Sequence, residues 1–292
     1  MQLSRYFSSR NFYIYWRLMR FHRPIGAFLL LWPTYWAMWL AAEGLPSWRV
    51  CCIFTLGVVV MRAAGCVIND YADRWIDGHV QRTKDRPLAN SQISPKVALI
   101  VFFLLITIAL GLVLLTNTLT IMLAAGALIL AICYPFMKRY THLPQVILGA
   151  AFSCSIPMAF ATQNNALDLA VGLVYITNLL WVVVYDTFYG MVDRADDLKI
   201  GVKSTAILFG ENDRLITALL QVMVVLGWLM MAAQFELDVF YYIGVSTAAG
   251  LFCYQQWLIR RREPEACLRA FKNNNWVGAS IFVGILLHYA VR

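Results

Sequence analysis

Charged residues are scarce in this chain. Only 14% of its 292 residues are Asp, Glu, Lys or Arg, while 61% are hydrophobic. A soluble domain carries roughly 25% charged and about 45–50% apolar residues. This shortage excludes an ordinary soluble domain and favours a protein that spans a lipid bilayer. Basic residues number 24 against 16 acidic ones. In a membrane protein such an excess indicates positive cytoplasmic loops rather than a nucleic-acid partner.

Several familiar site patterns are also missing. The seven cysteines form no C-x-x-C pair, and the four histidines show no metal-ligand spacing. The sequence therefore predicts neither a disulfide nor a zinc site. The motifs G-x-S-x-G, G-x-G-x-x-G and the Walker loop are absent, which excludes the usual hydrolase and nucleotide-binding folds.

Long apolar runs are abundant instead. A helix of about 20 apolar residues crosses a bilayer, and lipid admits only helices or closed barrels. We expect an all-α, multi-pass fold that forms one domain over residues 1–292, with two four-helix units and one further helix around a central cavity. The nine predicted helices lie near residues 24–42, 48–69, 97–116, 118–136, 143–162, 167–190, 213–233, 238–259 and 274–290.

The loops between these runs alternate in charge. The short set is poor in basic residues, whereas the long set is rich in them and includes the N-terminal arm with Arg5 and Arg10. The positive-inside rule places the N-terminus and the long loops in the cytoplasm, and an odd number of helices then places the C-terminus outside. The remaining long loops are residues 70–96, 137–142, 191–212 and 260–273.

Two acidic motifs of the form D-R-x-x-D follow the second and sixth predicted helices. They begin at Asp73 and Asp193, 120 positions apart (193 − 73), with four helices per unit. Since four is even, both motifs lie on the same side of the membrane. This spacing indicates a duplicated four-helix unit.

Helical spacing places the polar side chains of each motif on one face. On a continuous helix Asn69, Asp73 and Asp77 are four residues apart and share a stripe. Arg62 lies two turns earlier on that stripe. The second stripe is formed in the same way by Asp186, Asp193 and Asp197.

Carboxylates stacked on one face repel each other unless a cation lies between them. Magnesium prefers oxygen ligands and binds one or two carboxylates together with phosphate oxygens. We therefore predict a Mg²⁺–diphosphate site with Asn69, Asp73, Asp77, Asp193 and Asp197 as metal ligands; the alternative is that these are solvated loop charges. The basic residues expected to meet the remaining phosphate charge are Arg82, Lys138, Arg139, Lys199 and Lys203.

Arg62 and Asp186 stand within apolar runs, where ionisable residues are costly and usually functional. The alternative for each is a snorkelling helix-end charge or a buried Arg–Asp pair. Asp70, Asp85 and Asp196 fall off the two stripes, and we expect solvated or indirect roles for them.

The motif regions resemble a known family. Residues 65–78 read G-C-V-I-N-D-Y-A-D-R-W-I-D-G and residues 82–88 read R-T-K-D-R-P-L. Residues 185–205 read Y-D-T-F-Y-G-M-V-D-R-A-D-D-L-K-I-G-V-K-S-T. These segments are similar to the two signatures of the UbiA-type intramembrane prenyltransferases. The second signature and the segment R-F-H-R-P-I-G at residues 20–26 resemble the 4-hydroxybenzoate branch, although Gly190 stands where Ala is expected.

This resemblance implies an enzyme of a bacterial inner membrane that acts in ubiquinone synthesis. It implies transfer of a polyprenyl group from polyprenyl diphosphate to the ring carbon ortho to the hydroxyl of 4-hydroxybenzoate, with Mg²⁺ as cofactor and no required protein partner. Lys138 matches a position that meets the diphosphate, and Arg62 matches one associated with the acceptor. Tyr185, Phe188 and Tyr189 are candidates to stabilise an allylic cation.

Two other functions remain open from the sequence. A relative with a different acceptor would share both motifs. An ion-coupled transporter would also carry acidic residues, but its site would lie near the bilayer midplane rather than at helix ends. A CDP-alcohol type lipid transferase is disfavoured because D-G-x-x-A-R is absent.

Overall fold

The computed structural model describes residues 9–292, with side chains from Phe12 onward. Arg5 lies outside the described residues, as does the side chain of Arg10. Within this range the chain is helical and contains no β-strand. The prediction of a single domain over residues 1–292 stays a prediction.

Twelve α-helices follow one another along residues 9–292. Six of them form the first part of the chain: α1 Ser9–Leu18, α2 Ile25–Ala42, α3 Trp48–Asp73, α4 Pro95–Val113, α5 Thr118–Met137 and α6 Pro144–Ser153. The others are α7 Ser155–Asn164, α8 Leu169–Ile200, α9 Thr205–Phe209, α10 Asp213–Gln234, α11 Val239–Leu258 and α12 Pro264–Val291.

Local sequence accounts for the helix ends. Side-chain oxygens of Ser47, Ser94, Asn117 and Asp168 accept a backbone N–H in the first turns of α3, α4, α5 and α8. Such caps satisfy amides that have no partner inside the helix. Gly201 ends α8 with φ of 72°, a left-handed conformation that suits glycine.

Eight helical segments in residues 9–292 are long and apolar enough to cross a bilayer, with α6–α7 and α9–α10 each counted as one. They confirm an integral membrane protein. The ninth predicted span corresponds to α11, which is not among the eight. The count of nine spans therefore stays a prediction.

Three helices are longer than predicted. α3 reaches Asp73 rather than residue 69, α8 reaches Ile200 rather than 190, and α12 begins at Pro264 rather than 274. The apolar runs mark where a helix lies in lipid, but the polar residues beyond them continue the helix. Much of the predicted loops 191–212 and 260–273 is consequently helical. Conversely, α4 covers residues 95–113 rather than 97–116.

The predicted helix 143–162 is interrupted. It consists of α6 and α7, with the break at Cys154. Pro157 explains the break, because proline has no N–H to donate to the carbonyl of Ser153 one turn earlier.

Aromatic side chains form the centre of the bundle. Trp36 of α2, Trp181 of α8 and Trp228 of α10 are at most 1% exposed. The rings of Trp36 and Trp181 stack at 5.3 Å, and Trp228 meets Trp36 edge-on at 6.1 Å. These contacts fix α8 in the interior, so its C-terminal end has a defined position.

Glycines allow α11 and α12 to approach closely. A Cβ placed on Gly284 of α12 would lie 2.9 Å from the Cα of Tyr241 in α11. Small residues at such contacts let membrane helices pack backbone against backbone. α11 is thereby held closely against α12.

The two acidic motifs lie at one end of the bundle, called the motif end below, because α3 and α8 both end there. A buried ion cluster connects three segments at this end. Asp213, at the start of α10, is fully buried and pairs with Arg194 of α8 and with Arg262, which precedes α12, at 2.9 Å.

Replacing Asp213 by Ala should lower the stability of the protein by about 1–3 kcal/mol, because it leaves two guanidinium groups without their partner, and water screens these partly exposed charges only in part. Thermal unfolding in detergent measures this. Glu265→Gln, at an exposed position of α12, is the matched control and should change stability little. Equal unfolding temperatures for Asp213→Ala and the wild type would contradict the assigned role of the cluster.

Candidate active site

The two predicted stripes meet at one polar cavity of about 130 Å³ at the motif end. α3 and the turn after it supply one wall, and the last three turns of α8 supply the facing wall. All seven residues predicted for the stripes except Arg62 line this cavity. They are joined there by Arg82, Arg86, Tyr134, Lys138, Gln145, Tyr189, Lys203 and Ser204.

The first cluster is only partly helical. Asn69 and Asp73 stand four residues apart in α3, and Asn69 Nδ2 donates to Asp73 Oδ2 at 3.1 Å. α3 ends at Asp73, so the predicted continuous stripe to Asp77 is wrong. A turn and a short 3₁₀ helix at Asp77–His79 bring Asp77 back to the cavity instead.

The second cluster is helical throughout, as its spacing predicts. α8 continues to Ile200 and presents Asp186, Asp193 and Asp197 on one face. Arg82, from the loop after α3, pairs with Asp193 through Nε and Oδ1 at 2.9 Å. The same guanidinium donates to the Tyr189 hydroxyl and lies 4.5 Å from the centre of its ring. Arg82 therefore connects the two motifs.

The two carboxylates of the first cluster, Asp73 and Asp77, also have basic partners. Lys138, the residue directly after α5, pairs with Asp73. Arg86 donates to both oxygens of Asp77, at 2.9 and 2.8 Å. Asp73 Oδ1 is buried and has no hydrogen-bond partner among the described residues. The cavity thus contains closely paired opposite charges and, at Asp73 Oδ1, a buried carboxylate oxygen without a partner among the described residues.

Asp70 is not solvated, which corrects one of the two roles expected for it. It is fully buried, with Arg20 Nη2 at 2.7 Å and Arg86 Nη1 at 3.3 Å. Burial opposes the charge of Arg86, but Asp70 and Asp77 more than offset it and raise the pKa of Arg86 above its ordinary value. Arg86 remains charged and links the buried Asp70 to the cavity-lining Asp77.

Two predicted phosphate ligands lie elsewhere. Lys199 follows Asp197 by two residues, which turns it to the opposite side of α8. It is 73% exposed and pairs with Asp196 at 3.1 Å. Arg139, next to the cavity-lining Lys138, is exposed and donates to the carbonyl of Ala72. Neither residue lines the cavity.

Lys203 does line the polar cavity, with Nζ 3.2 Å from the carbonyl oxygen of Tyr140. Asp196, expected to be solvated or indirect, accepts from the backbone of Gln81 at 3.3 Å and so helps to hold the loop that carries Arg82.

A second, larger cavity of about 1150 Å³ adjoins the polar one. Its walls come mainly from α2 to α8 and are largely aliphatic and aromatic. It extends from Arg20 at the motif end to Thr116 and Thr120 at the opposite end of α4 and α5. Six residues line both cavities: Asn69, Arg82, Arg86, Tyr134, Asp186 and Tyr189.

Arg62 lies in the large cavity rather than the polar one. Its Nη1 donates to Cys66 Sγ at 2.9 Å. In the part of the chain that is described, Arg62 has no other hydrogen bond and no ion pair within 4.0 Å. The alternative of a close Arg62–Asp186 pair is therefore wrong. A guanidinium with free donors inside a membrane protein is a site for an anion.

Two of the three predicted aromatic candidates face the cavities. Tyr185 and Tyr189 line the large one, and the Tyr185 hydroxyl is buried without a partner among the described residues. Phe188 is fully buried in a separate cluster with Val184 and Ala206 and does not reach either cavity. Tyr134 lines both cavities and was not predicted.

Other residues at the site were also missed. Arg20 and Arg86 lie within the quoted motif segments, but helical spacing gives no signal for residues in loops. Gln145 of α6 accepts from the Thr205 amide at 3.0 Å and lines the polar cavity. Nothing in the local sequence distinguishes it.

The donor set fits a hard cation. Carboxylate and amide oxygens from Asn69, Asp73, Asp77, Asp193 and Asp197 surround one cavity, and Asp73 Oδ1 lacks a partner. These are the oxygen ligands that Mg²⁺ takes, usually together with phosphate oxygens. Across residues 9–292 no three acidic, Cys or His side chains already form a closed metal cluster, so the protein alone supplies an incomplete shell.

Comparison with known proteins gives one family. The family described as "UbiA prenyltransferase family" matches residues 30–279. A 4-hydroxybenzoate octaprenyltransferase of Saccharophagus degradans is 60% identical over 94% of this chain and 91% of its own length. The protein of the same name from Ectopseudomonas mendocina is 57% identical over 94% and 93%.

Solved structures share the fold. The apo structure of a UbiA homolog from Aeropyrum pernix K1 superposes with a TM-score of 0.79 at 23% identity, covering 89% of this chain and 97% of that one. A UbiA homolog from Archaeoglobus fulgidus, solved with GPP and Mg²⁺, gives 0.70 at 17% identity over 95% and 99%.

Inorganic diphosphate with Mg²⁺ should stabilise the purified protein against heat, by about 2.7 kcal/mol at a hundredfold excess over the dissociation constant. Asp73→Asn and Asp193→Asn should each weaken the effect, because each removes a negative oxygen donor. Lys199→Ala, remote from the cavity, should retain it. A wild-type protein that diphosphate and Mg²⁺ do not stabilise would contradict the site.

Proposed function

This chain belongs to the UbiA prenyltransferase family, and we propose that it prenylates 4-hydroxybenzoate within the membrane. The donor is a polyprenyl diphosphate, and the products are 3-polyprenyl-4-hydroxybenzoate and diphosphate. One observation carries the proposal: a charged cavity suited to a diphosphate shares a wall with a large apolar cavity that contains the unpaired Arg62. The names of relatives at 57–60% identity support both the acceptor and an octaprenyl donor.

The polar cavity binds the diphosphate head. Lys138, Arg82 and Lys203 line it, and the first two are paired with carboxylates that would otherwise bind a cation. When the head binds, Lys138 turns from Asp73, and Arg82 from Asp193, to the phosphate oxygens. The freed carboxylates, with Asn69, Asp77 and Asp197, would hold Mg²⁺, which neutralises charge on the departing diphosphate. The Archaeoglobus fulgidus homolog of the same fold, solved with GPP and Mg²⁺, supports this assignment.

The large cavity takes the prenyl chain and the acceptor ring. Its aliphatic walls match an isoprenoid chain, and the surrounding helices exclude water that would otherwise capture an allylic cation. Arg62 offers its free guanidinium edge to the carboxylate of 4-hydroxybenzoate, an arrangement in which two parallel hydrogen bonds fix orientation as well as charge.

The reaction takes place where the cavities meet. The bond between the allylic carbon and the diphosphate oxygen breaks, and its electron pair leaves with diphosphate. The tyrosine faces of Tyr134, Tyr185 and Tyr189 stabilise the positive charge that develops on the chain. The ring carbon ortho to the hydroxyl forms the new C–C bond and then loses its proton to Asp186 or to the departing diphosphate.

The chain is an integral membrane protein, and we propose the inner membrane with the motif end in the cytoplasm. The basic loops all lie at that end, which supports this orientation. The short, base-poor loops, including the one around Leu45, lie at the opposite end.

Membranes that contain the wild-type protein should form prenylated 4-hydroxybenzoate from octaprenyl diphosphate and Mg²⁺. Asp73→Asn and Asp193→Asn should each reduce the rate by roughly 10²-fold or more, since each removes a group that stabilises the leaving diphosphate. Product mass measures turnover, and Lys199→Ala should retain near wild-type activity.

Offering a naphthoate and a haem as alternative acceptors separates this function from that of a relative with another acceptor. Prenylation of one of these in place of 4-hydroxybenzoate would overturn the acceptor assignment. Substrate flux in liposomes without diphosphate release would favour a transporter instead.

Cysteine labelling tests the orientation. Lys199→Cys at the motif end and Leu45→Cys at the other end are both well exposed. A membrane-impermeant maleimide should label Lys199→Cys in inside-out vesicles and Leu45→Cys in right-side-out ones. The reverse pattern would overturn the proposed orientation.

A further inference from the structure

Gly26, in the first turn of α2, lies directly against the guanidinium of Arg62. A Cβ placed on Gly26 would be 2.7 Å from Arg62 Cζ and closer still to Nε and Nη2. Real side chains essentially never approach so closely. Only a residue without a side chain therefore leaves room for the guanidinium at this position.

Cys66 bounds the same guanidinium along α3. Cys66 follows Arg62 by four residues, so its thiol lies one helical turn away on the same face, and Nη1 donates to it at 2.9 Å. Within residues 9–292 neither a carboxylate nor a carbonyl group bonds to Arg62. The orientation of its free edge is therefore set by packing between the bare backbone of α2 and the small side chain of Cys66.

The space at Gly26 is specific to this contact. Around Gly57 and Gly65, which line the large cavity from α3, an added Cβ would meet nothing within 4 Å. Gly26 differs because the atoms it would meet belong to the guanidinium of Arg62, which has no carboxylate partner among the described residues.

We propose that Gly26 is a positioning residue that aims Arg62 at the acceptor and so sets the affinity for the aromatic acid. The proposal rests on the function proposed above, in which Arg62 binds the acceptor carboxylate. Gly26 has no side chain with which to bind a substrate; its bare Cα is the surface on which the guanidinium rests.

The atoms involved in this contact allow an effect of Gly26→Ala on acceptor binding to be separated from an effect on folding. The atoms that an added methyl would displace are the far end of a flexible side chain, not backbone, so α2 and α3 can keep their places. The guanidinium would have to move by about an ångström, and a misplacement of this size can cost on the order of 10²-fold in rate. Acceptor binding should therefore suffer while the diphosphate site remains intact.

Steady-state kinetics of Gly26→Ala, Arg62→Ala and the double variant test the proposal. Gly26→Ala should raise the KM for 4-hydroxybenzoate about tenfold or more and change the KM for polyprenyl diphosphate less than about twofold. The double variant should match Arg62→Ala, because the methyl has no further effect once the guanidinium is gone. Gly126→Ala, on an exposed face of α5 with open space around it, is the matched control and should behave as wild type.

Three results would overturn the proposal: unchanged acceptor KM in Gly26→Ala, an equal rise for both substrates, or losses that multiply in the double variant. An unchanged acceptor KM in Arg62→Ala would instead refute the role of Arg62 in the proposed function, and with it this proposal. An experimental structure of Gly26→Ala gives a readout independent of any substrate. A guanidinium displaced from Cys66 supports the positioning role, and one left in place refutes it.

Discussion

The pairing of each buried carboxylate with a basic group from another segment is the interaction on which this site depends. A charge withdrawn from water needs a partner, and removal of one partner destabilises a buried pair strongly. Asp73 pairs with Lys138, which directly follows α5, and Asp193 pairs with Arg82 from the loop after α3. Because the partners come from different segments of the chain, these pairs hold the ends of α3, α5 and α8 around one cavity. The same charges are then available for exchange with a charged ligand.

The bilayer explains why so much of the fold was predictable. Lipid requires long apolar helices, so the apolar runs of the sequence predicted where the membrane helices lie. Because α8 is one continuous helix, the spacing of Asp186, Asp193 and Asp197 correctly predicted that they share a face. Where the chain leaves lipid, this constraint ends. The predicted ends of α3, α8 and α12 were wrong for that reason, and Asp77 reaches the cavity through a turn rather than along a helix.

Long-range pairing explains what the sequence could not predict. Asp70 lies off the helical stripe, and its partner Arg20 is 50 positions away in the chain. No local sequence pattern encodes such a contact. Lys199 has the right charge in the right motif, but its place on α8 turns it towards solvent. The two cavities and their shared wall depend on how whole helices pack. Hydrophobic periodicity specifies which face of a helix is buried and leaves open which neighbour covers it.

The contact between Arg82 and Asp193 has a consequence for the order in which the protein is made. The two residues are separated by 111 positions, and a ribosome completes the first motif, with its basic loop, well before α8 emerges. During that interval Arg82 lacks the carboxylate partner that α8 later supplies. The charge of Arg82 at the polar end of the first half is therefore unmatched at first, and synthesis of α8 in the second half supplies Asp193 to neutralise it. Assembly of the two halves, rather than insertion of either one, completes the site.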